Sequence, residues 1–235
     1  MIDLHCHILP GVDDGARTID EALEMAHMAL RSGVHTLVAT PHHRHYGHDN
    51  HAKIREAFDR LQDALEYEQI PLDVRLATEV WVRKGELPPL TEGMTYPNSP
   101  WFLVEFSTDA SAAQIQTALE HYVAQGFRPV IAHPERYAAI QEEPIIARTW
   151  VQAGWGVQVN RDSLLGYFGE RCYYCADCLL RHGWANLIAS DAHRIDTRNT
   201  DWNEALETLH HRYDGQLLRR CLHDNPAKIL RGEAL

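Results

Sequence analysis

With 235 residues, 45% of them hydrophobic, the chain can bury one sizeable core, and a single domain spanning 1–235 is expected. A formal charge of −11, from 22 basic and 33 acidic residues, leaves no basic stripe for a phosphate backbone and argues against nucleic acid as a partner. No stretch approaches the roughly 20 apolar residues of a membrane span, and five cysteines leave at least one unpaired, so a cytoplasmic protein without membrane insertion is expected.

Strand and helix patterns alternate along the chain. Residues 2–6 read as a buried strand. A helix over 18–32 opens with Thr18 and Glu21 in capping-box spacing and closes at Gly33. Strand 36–39 leads into a polar loop over 42–50, then a helix over 51–67 and a strand over 74–77. The segment 85–98 is a second candidate rim loop, followed by strand 102–104 and a helix over 112–125. Strand 129–132, helix 144–153, strand 156–159, helix 169–181, strand 187–189 and helix 202–213 complete the series. Seven strands interleaved with helices, with no Gly-x-Gly-x-x-Gly after the first, predict an α/β fold: a distorted (β/α)7 TIM-like barrel rather than a dinucleotide-binding sheet.

The chemistry is written at the strand ends. In Asp3-Leu4-His5-Cys6-His7 the two histidines are two apart on a strand, which predicts both on one face with Leu4 and Cys6 on the other. Strand two runs out into His42, strand three into Glu79, strand four into Glu105, strand five into His133, and strand seven into Asp191 and His193. Any one of these reads equally well as a solvated carboxylate or a core histidine. Together, at the end of a barrel where strands converge, they predict a metal centre. Histidine and carboxylate without thiolate suit Mn, Fe(II) or Zn, and the ligands outnumber what one ion takes, so two or three ions are implied. Of the other histidines, His43, His45 and His48 fall in the loop after strand two and are candidates for the entrance; the remaining eight read as solvated.

These residues, with Val12-Asp13-Asp14-Gly15, Ala39-Thr40-Pro41-His42, Val104-Glu105-Phe106, Ala132-His133-Pro134-Glu135-Arg136 and Ser190-Asp191-Ala192-His193, resemble the PHP (polymerase and histidinol phosphatase) superfamily across nearly the whole chain. Within it, the chain is similar to the bacterial metal-dependent protein-tyrosine phosphatases of capsule and exopolysaccharide biosynthesis. The resemblance implies three metals, manganese foremost. One would be held by His5, His7 and Asp191, a second by Glu105 and His133, a third by Asp14, His42 and His193, with Glu79 bridging the first two. It singles out Asp14 over Asp13, and it places phosphate-binding arginines at Arg136 and Arg198, with Arg194 as an alternative to the latter. His43 is the candidate general acid. The implied substrate is phosphotyrosine on a bacterial tyrosine kinase or another component of polysaccharide export.

Three rivals accompany this reading: a non-catalytic binding module, against which the intact ligand set argues, a small-molecule phosphatase of the histidinol-phosphatase kind, and an amidohydrolase-type metal hydrolase. The latter class generally carries a lysine at the fourth strand and histidines at the fifth and sixth, where this chain has Glu105, His133 and Asn160. A Cys-x5-Arg spacing also occurs, from Cys175 to Arg181. It is glycine-free and reads as helix, unlike a loop that turns its amides toward phosphate, and the Cys172, Cys175, Cys178 series reads as a buried stripe.

Overall fold

The computed structural model describes the chain except Tyr46, Gly47, Asn50, Lys84, Gly85 and Glu92 and the side chains of Arg44, His45, His48 and Asp49. Parts of both rim segments, and the entrance role of His45 and His48, lie outside the described residues. Among the described residues, ten strands form two parallel sheets and one short antiparallel pair. The first sheet runs β1 (Ile2–Cys6), β2 (Thr36–Ala39), β5 (Asp73–Leu76); the second runs β10 (Leu187–Ala189), β9 (Gly156–Asn160), β8 (Arg128–Ala132), β7 (Trp101–Phe106), β6 (Glu79–Val82). β3 (Arg44–His45) and β4 (His48–Asp49) make the pair within the loop after β2. Single parallel bridges join the sheets at both margins, Cys6 to Ala192 and His42 to Glu79.

The helices are α1 (Ile19–Arg31), α2 (His51–Tyr67), α3 (Ala112–Val123), α4 (Ala138–Glu142), α5 (Ile146–Gln152), α6 (Arg161–Leu164), α7 (Glu170–Arg181), α8 (Asn203–Arg212), α9 (Gly215–Arg219) and α10 (Asn225–Leu230). None among the described residues is long and apolar enough to cross a membrane. Thr18 caps α1 by accepting from the Glu21 N–H, but the expected reciprocal bond is absent because the Glu21 carboxylate takes the Arg17 backbone and guanidinium instead. Helix 144–153 is realised as α5 alone, with α4 and α6 as unanticipated single turns.

Two departures from the expected strands shape the site. The third strand breaks at Ala77–Thr78: β5 pairs with β2, and the chain then crosses to pair with β7 as β6, so Glu79 opens a strand rather than ending one. In β1 the register slips between Asp3 and Cys6, a β-bulge opposite Val38. Leu4 and Cys6 consequently do not share surroundings. Leu4 joins Val38, Ala77, Leu103, Val130 and Leu187 in one buried cluster, whereas Cys6 lies with Leu37 and Ala39 in the larger cluster under the helices. The His5 N–H that the bulge removes from the ladder is taken by the buried Asp3 carboxylate at 3.3 Å, which also accepts from Ser190 N–H at 3.1 Å.

Candidate metal centre

All nine residues expected as ligands converge above the Leu4 cluster. Their ligand atoms fall into four overlapping groups, each within 4.8 Å: His7, Asp14, His42, His193; His5, Glu79, His133; His5, His7, Asp191; and His42, Glu79, Glu105. His5 and His7 reach the same place, their Nε2 atoms 3.2 Å apart. Asp191 Oδ1 stands 3.3 Å and 3.5 Å from those nitrogens. Glu79 is the hub. Its Oε1 is 3.3 Å from both His5 and His133 Nε2, and its Oε2 is 3.4 Å from His7 Nε2 and 3.0 Å from His42 Nδ1. Glu105 approaches His133 at 3.7 Å, and Asp14 Oδ1 lies 3.6 Å from His42 and 3.5 Å from His193.

The backbone is bent to make this possible. His133, Asp191 and Arg198 are three of the five described residues other than glycine with positive φ, at 33°, 51° and 49°. Each such conformation costs on the order of 1–3 kcal/mol and persists where surroundings over-determine it. Gly15 brings the Asp13–Asp14 turn against β1 so closely that a Cβ there would sit 2.0 Å from the His7 carbonyl oxygen.

Burial would push the Glu79 and Asp191 carboxyls up, but the surrounding imidazoles, with Arg198 beside Asp191, hold both far below the carboxylate range. Burial and the charge of Glu79 push Glu105 up to about 8. Burial would lower His42, yet Glu79 outweighs it and raises the imidazole to about 9; for His133 burial wins and takes it to about 4. A crowded set of four carboxylates and five imidazoles, with two ring nitrogens facing each other at 3.2 Å, matches what divalent cations need as first ligands. The residues present therefore fit the metals expected.

Supporting residues hold the ligands. His7 Nδ1–H donates to Asp13 Oδ2 at 2.8 Å, and Asp13 also accepts from the His42 and Gly15 N–H groups. Of the two adjacent aspartates, Asp13 thus orients and Asp14 faces the cluster. The sixth strand contributes no acid or imidazole but a relay of amides. His5 Nδ1–H donates to Gln158 Oε1 at 2.9 Å, Gln158 Nε2 to Asn160 Oδ1 at 2.8 Å, and Asn160 Nδ2 to Asp191 Oδ2 at 2.7 Å. The relay fixes both histidine and carboxylate with their remaining atoms turned to the cluster, which is how outer partners tune a metal site. Sequence reasoning missed Asp3, Asp13 and Gln158, and took Asn160 only as a missing histidine.

Arg136 and Arg198 both approach Asp191 Oδ2, at 3.5 Å and 2.5 Å, so the candidate arginine after strand seven that reaches the cluster is Arg198. Arg194 acts electrostatically on Glu21 instead. His43 is buried beside these groups but belongs to none of the four, and its Nδ1 accepts from the Trp81 N–H at 3.2 Å. The rival Cys175 is buried on α7 with its thiol against the Ile140 carbonyl, and burial pushes that thiol up, while Arg181 is tied to Asp177. Such a cysteine is no thiolate nucleophile.

The model for capsular polysaccharide synthesis proteins of the CpsB/CapC type matches residues 1–231. The chain is 35% identical to the tyrosine-protein phosphatase YwqE of Bacillus subtilis (strain 168), covering all of this chain and 93% of that protein. It is 30% identical to the tyrosine-protein phosphatase CpsB of Streptococcus pneumoniae, covering 98% of each. A crystal structure from work on YwqE and CpsB, described there as unique metal-dependent tyrosine phosphatases, superposes with a TM-score of 0.86 at 35% identity over 99% of this chain and 95% of that one. The phosphotriesterase homology protein from Escherichia coli (TM-score 0.63, 11% identity, 97% of this chain and 98% of that one) shares the fold. On the extent of these matches, the chain belongs to the CpsB/CapC family.

Proposed function

We propose that this protein is a metal-dependent protein-tyrosine phosphatase acting on a phosphotyrosine-bearing protein, such as a bacterial tyrosine kinase or another component of polysaccharide export. The observation that carries the reading is the convergence of nine ligand-type side chains with two arginines at one carboxylate, Asp191. His5, His7, Asp14, His42, Glu79, Glu105, His133, Asp191 and His193 would hold two or three divalent cations, manganese foremost, with iron or zinc as alternatives. Bound cations would supply an activated water near neutral pH and offset phosphoryl charge.

The chain's own residues do the rest. Arg136 and Arg198 bind the non-bridging oxygens of the phosphoryl group, for which guanidinium forks are suited. The phenolate of tyrosine, with a pKa of about 10, leaves with little help. What protonation it needs comes from His43, whose Nδ1 already accepts from Trp81, so that Nε2 carries the proton. A groove of about 780 Å³ lined by Trp81, Arg83, Phe106 and Gln114 runs beside β7, the strand that carries Glu105. An open groove suits a polypeptide better than a small metabolite, which needs enclosing walls.

Residues 1–235 form one domain in this reading, and the two bridges between the sheets support taking it as a distorted (β/α)7 barrel. Five free cysteines, three of them buried, fit the cytoplasm. The test compares kcat/KM for a tyrosine phosphopeptide and for histidinol phosphate, with chelated enzyme as control. The phosphopeptide is expected to win clearly and chelation to abolish turnover. A preference for histidinol phosphate would replace the substrate with that of the small-molecule phosphatases, and full turnover by metal-free enzyme would remove the metal reading.

A further inference from the structure

The turn after α6 carries a residue that strand-end reasoning passes over. Phe168 sits half-buried in the tetrapeptide Gly166-Tyr167-Phe168-Gly169. The guanidinium carbon of Arg136 lies 5.2 Å from its ring centroid and that of Arg198 lies 5.5 Å from the same centroid. The two cations come from different strand ends, one after β8 and one after β10, and meet at this ring and at Asp191 Oδ2. Two like charges at such quarters repel, so something must keep them together.

Asp191 is a divided partner, because it also faces His5, His7 and His193 across the cluster. The negative face of an aromatic ring is an undivided one. It attracts both guanidiniums without using their N–H groups, leaving those donors for phosphate oxygens, and it offers no polar atom that would compete for them. The turn is braced to serve as a platform. Tyr167 N–H donates to the Asp162 carbonyl and Gly169 N–H to the Gly166 carbonyl, both at 3.0 Å, while the Tyr167 hydroxyl reaches the Glu204 carboxylate at 2.9 Å. Gly166 and Gly169 hold φ at 85° and 86° with no atom within 4 Å of an added Cβ, so glycine stands there for its backbone and not for space.

We propose that Phe168 is a positioning residue that holds Arg136 and Arg198 as a pair facing the phosphoryl group. The ligand class of the site so formed is a phosphate monoester dianion or inorganic phosphate. The inference rests on the arginine roles given above, and its test separates the two. Inorganic phosphate is titrated calorimetrically into Mn²⁺-loaded enzyme, parent and variants, with Mn²⁺ content measured by elemental analysis. Phe168→Leu, which keeps apolar bulk and removes the ring, weakens phosphate binding by about tenfold. Phe168→Tyr restores it, and Mn²⁺ content stays at the parent value in both. Phosphate binding by Phe168→Leu as tight as in the parent, alongside weakened binding by Arg136→Ala, overturns the proposal. So does a joint loss of Mn²⁺ and phosphate in Phe168→Leu, which makes the ring's role structural. Parent-like binding by Arg136→Ala instead overturns the arginine assignment on which the proposal stands.

Discussion

Gly15→Ala should disable the centre although it adds a single methyl group. The new Cβ would stand 2.0 Å from the His7 carbonyl oxygen, 2.6 Å from His7 Cβ and 2.9 Å from Asp13 Oδ1, whereas ordinary contact begins near 3.4 Å. Relief requires the turn and β1 to part by about 1.4 Å, and neither can move freely. The Ala16 N–H is bonded to the same His7 oxygen at 3.0 Å, and Asp13 is bonded to His7 and to the His42 N–H. A misplacement of about 1 Å in a catalytic array costs on the order of a hundredfold in rate, and overpacking costs about 1–3 kcal/mol in stability. We therefore expect kcat/KM for a tyrosine phosphopeptide to fall about a hundredfold, with reduced Mn²⁺ content and a melting temperature a few degrees lower. Gly215→Ala, where a Cβ meets nothing within 4 Å, is the control and should match the parent. Parent-level turnover and full Mn²⁺ content in Gly15→Ala would refute the claim that this close approach positions His7 and Asp14.

Gln158→Leu removes the acceptor of His5 Nδ1–H and should lower Mn²⁺ affinity roughly 10- to 100-fold. Gln158→Glu keeps an acceptor and should stay near the parent; equal affinities for all three proteins would discard the amide relay. Metal affinity should also rise with pH. Metal must displace a proton from Glu105, at about 8, from His42, at about 9, and from His5 and His7, which burial would lower but their carboxylate neighbours raise, so affinity climbs about tenfold per pH unit for each displaced proton. In the metal-free protein the sign is opposite: the raised His42 value contributes stability that is complete below its unfolded value of about 6.5 and lost as pH rises through about 9. Flat Mn²⁺ affinity between pH 6.5 and 9 would contradict both statements. Cys175→Ser should keep most of its turnover, and its inactivity with Mn²⁺ fully bound would revive a cysteine nucleophile.

The convergence of the proposed ligand residues was legible because most of them follow or sit within a short apolar run, and parallel strands bring such ends together. Less visible was anything set by pairing between distant strands. The bulge in β1 is hidden because Asp3 to His7 alternates as a regular strand would, and only the register against β2 reveals that Leu4 and Cys6 part company. The break at Ala77–Thr78 is hidden for the same reason, since both halves read as strand and the change of partner is a tertiary event. Choosing Asp14 over Asp13 needed the resemblance, and Arg194 against Arg198 stayed open in the sequence, because residues close together in the chain differ only in where the turn aims them. Gln158 could have drawn notice as a polar residue inside an otherwise apolar strand. At the C-terminus α9 and α10 are joined through a π-helical segment, Arg220–Asp224, whose wider turn breaks the 3.6-residue period that would have marked one longer helix.

The break in the third strand divides the molecule into two stretches that are each continuous in sequence, one ending with β5 and one beginning with β6. The bridges Cys6 to Ala192 and His42 to Glu79 mark the two seams between them. Each of the four ligand groups draws from both stretches: His5, His7, Asp14 and His42 from the first, and Glu79, Glu105, His133, Asp191 and His193 from the second. Cations held there as proposed would act as rivets across the seams, and their binding free energy would become adhesion between the halves, worth about 2.7 kcal/mol at a concentration a hundred times the dissociation constant. Metal supply would thereby govern how firmly the molecule is closed as well as whether it turns over, and starvation for the cation would present as a loosening of the whole fold along these two lines.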